Sequence, residues 1–502
     1  MIKTLYQSRS ISTLIRVFQS NPSRTLNTHT PTKTPSSPGT SLYSGIFKNP
    51  DPKVSIVPLL DQWVKEERSI SVEELRKIIR QLRKFRRVKH ALQISQWMND
   101  KSFLDLTSAD VAIQLDLIAK VHGVEKAEEF FNAMPISSKD FRSYGALLLC
   151  YADAKLLEKA EAVMQSMREL SYMQTLSYNV MLKLYSYCGK IDKLDSLMQE
   201  MEDLDIKFSK FTYNIILNAY AEASDIDQLE KLLTKMEADP LVTMDWNAYV
   251  VAAKGYLRIL NKVKALESLK KSEQLVAVSS RKMAYEIYMT MYARIGNKEE
   301  VHRIWKLYKS HCKFYNMGYL CMMSSLAKMD DIDAAHKVYD EWEVKKATFD
   351  IQLPNFLISC YCKKGQMEKA ESLCQKLLDN GNEPNGGTWT RLAFGYQKQK
   401  QMEKAVEALN KSILASEPGS KLYFPVLDAC LIYLKEREDL DRIEHIKGLL
   451  AERGHDYTHV FERLATYSKE EMNADNKAFD QTEGDEHTLE KDLLEVEKEV
   501  RN

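Results

Sequence analysis

The chain has 502 residues, with 71 Lys and Arg side chains against 71 Asp and Glu side chains, so its formal net charge is zero. A single hydrophobic core would be unusual in a chain of that length. The sequence has no run of roughly 18 apolar residues, which argues against a membrane span. The neutral total is the sum of a basic N-terminal region, a central region and an acidic C-terminal region.

The first 50 residues are basic, with six Lys or Arg residues and no Asp or Glu. Arg9 and Arg16 lie among many Ser and Thr residues, and Leu14 and Phe18 belong to a short apolar stripe. This composition is typical of an imported organellar leader. Residues 1–50 are therefore predicted to be a mitochondrial transit peptide and linker, with a chloroplast leader or a plain disordered tail as the alternatives.

Residues 76–90 form a basic run with eight Lys or Arg residues, one His and no acid. On a helix, the run would place its cations on one side and Ile78, Ile79, Leu82 and Phe85 on the other. The basic run is interpreted as a row of side chains that contact RNA phosphates. The alternative is an ordinary solvent-exposed helix face. The candidate phosphate-binding residues are Arg76, Arg80, Arg83 and Arg87.

The centre of the chain is repetitive. The pentapeptide QMEKA occurs at 366–370 and again at 401–405, 35 residues apart, and a fixed period of this size indicates a stacked array. Aromatic residues at intervals of mostly 33–35 residues give the same register. They are Tyr144, Tyr178, Tyr213, Trp246, Tyr285, Tyr319, Trp389 and Tyr423.

Each unit is predicted to be a helical hairpin. Tyr178, Met181, Leu182 and Tyr185 follow the i, i+3, i+4, i+7 pattern of one helix face, Gly189 permits a tight turn, and a second apolar stripe follows. One hairpin cannot bury its apolar face alone, so the units are predicted to stack into an α-solenoid.

The last region, residues 456–502, loses the repeat pattern. Residues 470–502 hold twelve acidic and four basic residues, and the stretch 487–500 has the pattern of a short amphipathic helix. Because its charge disfavours contact with nucleic acid, this acidic C-terminal tail is predicted to solubilise the protein or to face another partner.

The units resemble pentatricopeptide repeats (PPR). The resemblance lies in an aromatic residue followed by Asn (176–179, 211–214, 245–247), a Tyr-x3-Gly turn, and a hydrophobic-acidic-Lys-Ala second helix. A plain array behind a basic leader is similar to the P-type branch of plant mitochondrial members. The resemblance implies an all-α, right-handed α-solenoid of about 10–11 hairpins, placed here at residues 51–455.

The resemblance also implies candidate base-reading residues, because such repeats read single-stranded RNA with two or three side chains per unit. The first set follows the aromatic column and consists of Gly145, Asn179, Asn214, Asn247, Glu286, Leu320, Asn355 and Thr390. The partners at the unit ends are, in order, Gln174, Ser209, Val242, Arg281, Tyr315, Asp350, Asn385 and Gly419.

Only two of these pairs follow the family pattern well. Asn179 with Ser209, and Asn355 with Asn385, resemble pyrimidine-reading pairs. The others are irregular, so the resemblance implies RNA recognition that is weakly sequence-specific or partly lost. A helix-capping or turn role is the alternative for each individual Asn.

Signatures of catalysis are absent: the sequence contains no Walker loop, GxSxG, HExxH or C-x2-C motif. The chain is predicted to have no enzymatic activity, cofactor, metal or small-molecule substrate, and its eight cysteines fit core positions. The favoured function is an RNA-binding factor of the mitochondrial matrix that sequesters single-stranded RNA for transcript stability, processing or translation. The alternative is a protein-interaction scaffold or a mitochondrial ribosome-associated subunit.

Overall fold

The computed structural model describes most of the central region. The described residues are 41–48, 51, 54–101, 106–239, 242–312, 316–346, 348–417, 424–454, 457, 459–461 and 464. The predictions for residues 1–40 and for the acidic tail at 470–502 lie outside these residues. Within the described part the secondary structure is helical, without strands, which confirms the predicted all-α class.

The chain divides into two compact units, the first ending at Asn261 and the second beginning at Lys262. The helices of the first unit are Leu42–Lys48, Val57–Lys65, Val72–Lys84, Val88–Asp100, Ser108–His122, Val124–Ala133, Phe141–Asp153, Leu157–Glu169, Thr175–Tyr187, Ile191–Asp203, Lys210–Ala223, Ile226–Ala238 and Trp246–Arg258. Those of the second are Lys262–Gln274, Arg281–Ile295, Lys298–His311, Asn316–Lys328, Ile332–Lys345, Gln352–Lys363, Met367–Asp379, Gly386–Lys398, Met402–Leu414, Phe424–Glu436 and Leu440–Glu452.

From residue 72 onward the helices pair into antiparallel hairpins, and each described unit contains five complete ones. Hairpins 1 to 5 cover residues 72–100, 108–133, 141–169, 175–203 and 210–238, and hairpins 6 to 10 cover residues 281–311, 316–345, 352–379, 386–414 and 424–452. Within each unit, consecutive hairpins pack against one another. The predicted array of about 10–11 helical hairpins is thereby confirmed.

The turns between paired helices need a left-handed backbone residue. Gly189 and Gly365 occupy this place with φ of 67° and 71°, which glycine adopts without steric cost. In hairpins 3 and 9 the same place is held by Lys155 and Lys400, with φ of 62° and 59°. The predicted role of the turn glycines is confirmed, and non-glycine residues fill the equivalent turn elsewhere.

Small residues allow the two helices of a hairpin to approach closely. The predicted alanines early in the second helices have no exposed surface; they are Ala160, Ala335, Ala370 and Ala405. A larger side chain at these positions would separate the paired helices, so the alanines set the hairpin spacing.

In several hairpins a tyrosine at the end of the first helix bonds to the preceding hairpin. Tyr185 donates a hydrogen bond from its hydroxyl to Glu161 Oε1 at 3.1 Å, and Lys193 Nζ lies 2.5 Å from the same oxygen. The ammonium of Lys193 and the hydroxyl of Tyr185 hold the pKa of Glu161 below its usual value. Tyr220 makes the same kind of bond to Asp195 at 2.6 Å.

The same arrangement recurs in the second unit. Tyr396 donates to Glu371 Oε1 at 2.6 Å, and Lys404 Nζ lies 3.2 Å from that oxygen. One carboxylate thus accepts a tyrosine and a lysine from the following hairpin. These clamps add directional bonds to the apolar contacts between hairpins.

The N-terminal boundary of the folded region differs from the predicted one. Residues 42–48, predicted as linker, form a helix whose Leu42 and Ile46 side chains are 1% exposed. Gly45 lies against Leu59, since a Cβ at Gly45 would meet Leu59 Cδ2 at 3.2 Å. The apolar spacing of Leu42 and Ile46, one helical turn apart, explains why this segment packs.

We expect Gly395→Ala to destabilise the second unit. A Cβ at Gly395 would lie 2.5 Å from Met367 Sδ and 2.7 Å from Cys362 Sγ, and such overpacking typically costs about 1–3 kcal/mol. Gly448→Ala is the matched control, because it is also helical and its Cβ would meet nothing within 4 Å. Thermal unfolding should show a lower midpoint for the first variant alone; equal midpoints would contradict the close packing at Gly395.

Candidate nucleic-acid interface

The candidate base-reading residues of the first unit follow buried aromatic side chains. Tyr178 and Tyr213 are 0% and 2% exposed, and each begins the face that packs into the hairpin. The hydroxyl of Tyr178 donates to Glu200 at 2.8 Å. Because the aromatic side chain fixes the rotation of its helix, the residue that follows it occupies the same place in every hairpin.

Two of these residues have an unsatisfied amide oxygen. Among the described residues, Asn179 Oδ1 and Asn214 Oδ1 are buried without a hydrogen-bond partner. Asn179 as a whole is 3% exposed, whereas Asn214 and Asn247 are half-buried. A buried polar atom without a partner costs about 1–3 kcal/mol, so these two oxygens lower the stability of the fold.

Ser209, the predicted partner of Asn179, has a capping role in the structure. It is the N-cap of helix Lys210–Ala223, where its Oγ accepts from Thr212 N at 3.2 Å and lies 2.9 Å from Thr212 Oγ1. Its hydroxyl is therefore already occupied by a capping box with Thr212, and the structure gives no bond between Ser209 and Asn179.

The second predicted pair lies together. Asn355 is fully buried, and its Nδ2 donates to Asn385 Oδ1 at 3.2 Å. Thr388 Oγ1 donates to Asn355 Oδ1 at 2.7 Å, and Asn385 also caps helix Gly386–Lys398 through Thr388 N at 2.9 Å. The structure thus joins Asn355 and Asn385 in a network that links hairpins 8 and 9.

Thr390 is also engaged within the protein. It is 8% exposed, its Oγ1 donates to the carbonyl of Gly386 at 2.9 Å, and it lies 2.7 Å from Ser412 Oγ. The amide and hydroxyl groups predicted for base reading in hairpins 8 and 9 therefore hold hydrogen bonds that RNA would have to replace.

The remaining predicted residues occupy varied environments. Gly145 and Leu320 are buried, and Glu286 accepts a hydrogen bond from Tyr308 at 3.2 Å. Asp350 accepts from Asn316 Nδ2 at 3.3 Å. The other described candidates are Gln174, Val242 and Arg281, while Tyr315 and Gly419 lie outside the described residues.

The basic run does not form one continuous helical face. Helix Val72–Lys84 ends before Phe85, which is 57% exposed rather than packed with the apolar side. A turn follows, and the next helix begins at Val88. The cations of the run are consequently distributed over two helices and the turn between them.

Two of the candidate arginines form ion pairs with hairpin 2. Arg76 contacts Asp110 through two bonds, Nε to Oδ1 at 2.8 Å and Nη2 to Oδ2 at 2.6 Å. Arg83 Nη2 lies 2.9 Å from Asp116 Oδ2, with the two side chains 14% and 8% exposed. Although burial favours the neutral acid, the bonds from Arg76 and Thr107 hold the pKa of Asp110 below its usual value.

The other two candidate arginines differ in exposure. Arg87 Nε donates to His90 Nδ1 at 3.0 Å and its Nη2 to the carbonyl of Ile46 at 3.1 Å, and burial lowers the pKa of its guanidinium. Arg80 is exposed and donates to the carbonyl of Arg76 at 3.3 Å. Among the four candidates, Arg80 is therefore the one whose guanidinium faces solvent.

Lys183 is a polar group that the sequence analysis missed. It lies one helical turn after Asn179, and its Nζ is buried without a hydrogen-bond partner in the described structure. Burial lowers the pKa of Lys183, and the nearby charge of Asp153 opposes that shift. A lysine at i+4 from a candidate Asn, within an apolar helix, was the sequence signal for it.

The described residues offer no group of three His, Cys, Asp or Glu side chains that could hold a metal ion. Burial raises the pKa of the thiols of Cys150, Cys362 and Cys430 to about 12, so these cysteines are core residues rather than reactive thiols. Nor does any helix in the described part have the length and apolar character to cross a membrane.

Comparisons with known proteins agree with this architecture. The PPR repeat family model matches residues 173–239, and the PPR repeat model matches residues 142–172, 319–346 and 355–382. A mitochondrial pentatricopeptide repeat-containing protein of Arabidopsis thaliana is 43% identical over 84% of this chain and 87% of that protein.

A second relative from Arabidopsis thaliana, the large ribosomal subunit protein mL101 (rPPR4), is 37% identical over 82% of this chain and 84% of its own length. Among solved structures, the pentatricopeptide repeat protein PPR10 from maize is similar with a TM-score of 0.45 and 16% identity. That similarity covers 84% of this chain and 64% of the maize chain.

We expect Arg83→Met to lower the stability of the first unit and Arg80→Met to leave it unchanged. Removing Arg83 leaves Asp116 buried with only Lys120 at 2.6 Å as its ionic partner, and breaking a buried pair costs about 3–5 kcal/mol before such compensation. Arg80 is exposed, so its removal costs little. Urea unfolding monitored by circular dichroism measures both, and similar midpoints would show that the pair with Asp116 contributes no stability.

Proposed function

The chain belongs to the pentatricopeptide repeat family, and on that premise we propose that it binds single-stranded RNA without catalysing a reaction. Its first helices would hold unpaired RNA and keep it from nucleases and from base pairing. Such sequestration serves the stability, processing or translation of a transcript. The P-type assignment within the family is part of this proposal.

One observation carries the proposal. The amides Asn179, Asn214 and Asn247 follow the buried aromatic column at three consecutive first helices, and the first two have an amide oxygen with no hydrogen-bond partner. These unpaired oxygens lower the stability of the fold and make no hydrogen bond that would offset the loss. A base edge offers the missing donor, and rotation of the side-chain amide would bring it to the surface of the helix.

The candidate pair in the second unit fits a weaker role. Asn355 and Asn385 bond to each other and to Thr388, so a base would have to displace existing hydrogen bonds. A base would likewise have to displace the hydrogen bond between Thr390 and Ser412. We propose that base contacts are strongest in hairpins 4 and 5 and weaker in hairpins 8 and 9, as expected for a protein with limited sequence specificity.

The phosphate contacts are proposed to come from the basic run. Arg80 is exposed and can take a phosphate directly, whereas the ion pairs of Arg76 and Arg83 orient the helix that carries it. Arg87 donates to the carbonyl of Ile46 and so holds helix Leu42–Lys48 against hairpin 1. Of the four arginines, Arg80 is therefore assigned the direct electrostatic contact.

The mitochondrial destination is supported by several relatives that carry this location in their names. We propose the matrix as the compartment, because RNA of the organelle is found there. Residues 1–50 would act as the transit peptide and linker, residues 51–455 as the array and residues 456–502 as the acidic C-terminal tail. We propose that cleavage occurs before residue 42, because helix Leu42–Lys48 packs with the folded region.

A second candidate function rests on a specific relative. The similarity to a large ribosomal subunit protein of the same family favours a role as a subunit associated with the mitochondrial ribosome. The internal use of Asn355, Asn385 and Ser209 also fits a scaffold with few base contacts. In that case, the array would bind proteins or folded ribosomal RNA as part of the particle.

We expect Asn179→Leu and Asn214→Leu to weaken RNA binding and to stabilise the fold. Loss of one base contact should lower the affinity roughly five- to tenfold, and removal of an unpaired buried oxygen should raise the free energy of unfolding by about 1 kcal/mol. Fluorescence anisotropy with single-stranded RNA at low salt and thermal unfolding measure the two effects.

Asn355→Leu is the control for these variants, because its amide is bonded and its removal should destabilise the second unit. If Asn179→Leu lowered stability and left RNA affinity unchanged, its amide would be structural. If the unmodified protein bound no organellar RNA at micromolar concentration, the RNA-binding function itself would be wrong.

Sedimentation of an organelle lysate separates the two candidate functions. An RNA-binding factor should migrate free or with transcripts and should shift to lighter fractions after mild ribonuclease treatment. A ribosomal subunit should co-migrate with the large ribosomal particle in stoichiometric amount and should stay with it in moderate salt. Stoichiometric co-migration would replace the first proposal with the second.

A further inference from the structure

The start of the folded region presents an exposed aromatic surface. Tyr43 and Phe47 stack with ring centroids 4.3 Å apart, and the edge of Phe47 meets Phe85 at 5.9 Å. Tyr43 is 42% exposed and Phe85 57% exposed. Tyr43 and Phe85 are thus exposed on either side of Phe47, which is half-buried between the helix Leu42–Lys48 and the turn of hairpin 1.

The core of the protein does not require this exposure. Helix Leu42–Lys48 buries Leu42 and Ile46, each 1% exposed, and therefore docks through its aliphatic face. Tyr43 lies outside that face and is exposed, while Phe47 is half-buried against Phe85 and Arg87 of hairpin 1. Exposed rings on either side of Phe47 indicate a surface that binds something.

Cations accompany the rings. Lys84 Nζ lies 6.0 Å from the centroid of Phe85, and the guanidinium of Arg87 lies 5.2 Å from that of Phe47. Arg87 is fixed by its bond to the carbonyl of Ile46, which joins the two elements of the surface. Residues 76–90 contain no acid, but two of their arginines pair with carboxylates of hairpin 2, so the cation assigned to this surface is Lys84, which is exposed.

This combination fits one class of partner. Stacked rings give a flat face for an unpaired base, and adjacent cations neutralise the phosphate of the same nucleotide. A stable protein interface buries about 800 Å² on each partner, which is a larger area than three aromatic side chains supply. Double-stranded nucleic acid does not expose the faces of its bases, so the geometry favours a single strand.

We propose that Tyr43, Phe47 and Phe85, together with Lys84, form an aromatic platform that stacks an unpaired nucleotide of single-stranded RNA. This contact is separate from the Asn column of hairpins 4 and 5 and adds affinity without sequence preference, because every base has a stacking face. The platform rests on the proposed RNA-binding function and extends it to the start of the array.

The test compares two double variants of the full chain. Phe85→Ala with Lys84→Gln removes a ring and a cation of the platform. Leu204→Ala with Lys207→Gln is the matched control, since Leu204 is also 57% exposed and Lys207 is an exposed lysine close to it in sequence. The probe is a fluorescein-labelled RNA of about 20 nucleotides without self-complementarity, long enough for several stacking sites.

The platform variant should bind the probe about tenfold more weakly, the loss expected for one stacked base. Its plot of log affinity against log salt should be shallower by about 0.7 for the missing phosphate contact. Phe85→Trp should bind the probe at least as tightly as the unmodified protein, because the larger ring stacks better. A fluorescent adenine analogue in the probe should be quenched by the unmodified protein and less by Phe85→Ala, which reports stacking directly.

Equal RNA affinities of the two double variants would contradict the platform. The platform would also be wrong if Phe85→Ala alone left the RNA affinity unchanged and Lys84→Gln alone accounted for the whole loss. A gain in RNA affinity that is equal in the unmodified chain and in the platform variant after removal of residues 470–502 would show that the tail acts elsewhere and leaves the comparison of the two double variants to decide. Failure of the unmodified chain to bind RNA would instead refute the proposed function. Loss of affinity in Asn179→Leu alone would refute only the platform.

Discussion

Each hairpin has an apolar face that it cannot bury by itself, and the rest of the structure follows from this constraint. The neighbouring hairpin buries that face, so the stability of one hairpin depends on how the next hairpin packs against it. Carboxylates such as Glu161 and Glu371 add direction to this packing, because each accepts a tyrosine and a lysine from the following hairpin. An apolar contact tolerates sliding, whereas these bonds fix one relative position.

The fold was largely predictable from the sequence because the constraint repeats. Tyr178 and Gly189 are each readable from spacing, and their burial and backbone conformation follow from the helix period. The start of the array was not predictable in this way, since Leu42 and Ile46 are only two apolar residues one helical turn apart. Lys155 and Lys400 also escape prediction, because their positive φ is imposed by the hairpin turn rather than preferred by lysine.

The candidate site was predictable in position but not in environment. The spacing locates Asn179 and Asn355 at equivalent places, yet one amide oxygen lacks a partner and the other has Thr388. The difference arises because hairpin 9 presents Asn385 and Thr388 to Asn355, whereas the corresponding Ser209 and Thr212 of hairpin 5 bond to each other. Likewise, the basic run gives no indication that Arg76 and Arg83 pair with Asp110 and Asp116, which lie more than 30 residues further along the chain.

These pairings determine the kind of RNA binding that the array can support. Along the first helices of hairpins 1 to 4, Arg83 is neutralised by Asp116, Asp116 also pairs with Lys120, and Lys183 lies in the field of Asp153. Alternating charges cancel beyond a Debye length of about 8–10 Å in physiological salt, so the wall of the array exerts little long-range attraction. A strand of RNA would then be held mainly by contacts made at close range, where an unsatisfied amide or an exposed ring contributes more than the net charge of the chain. The neutrality of the protein is therefore compatible with RNA binding, provided that affinity comes from contact rather than from electrostatic steering.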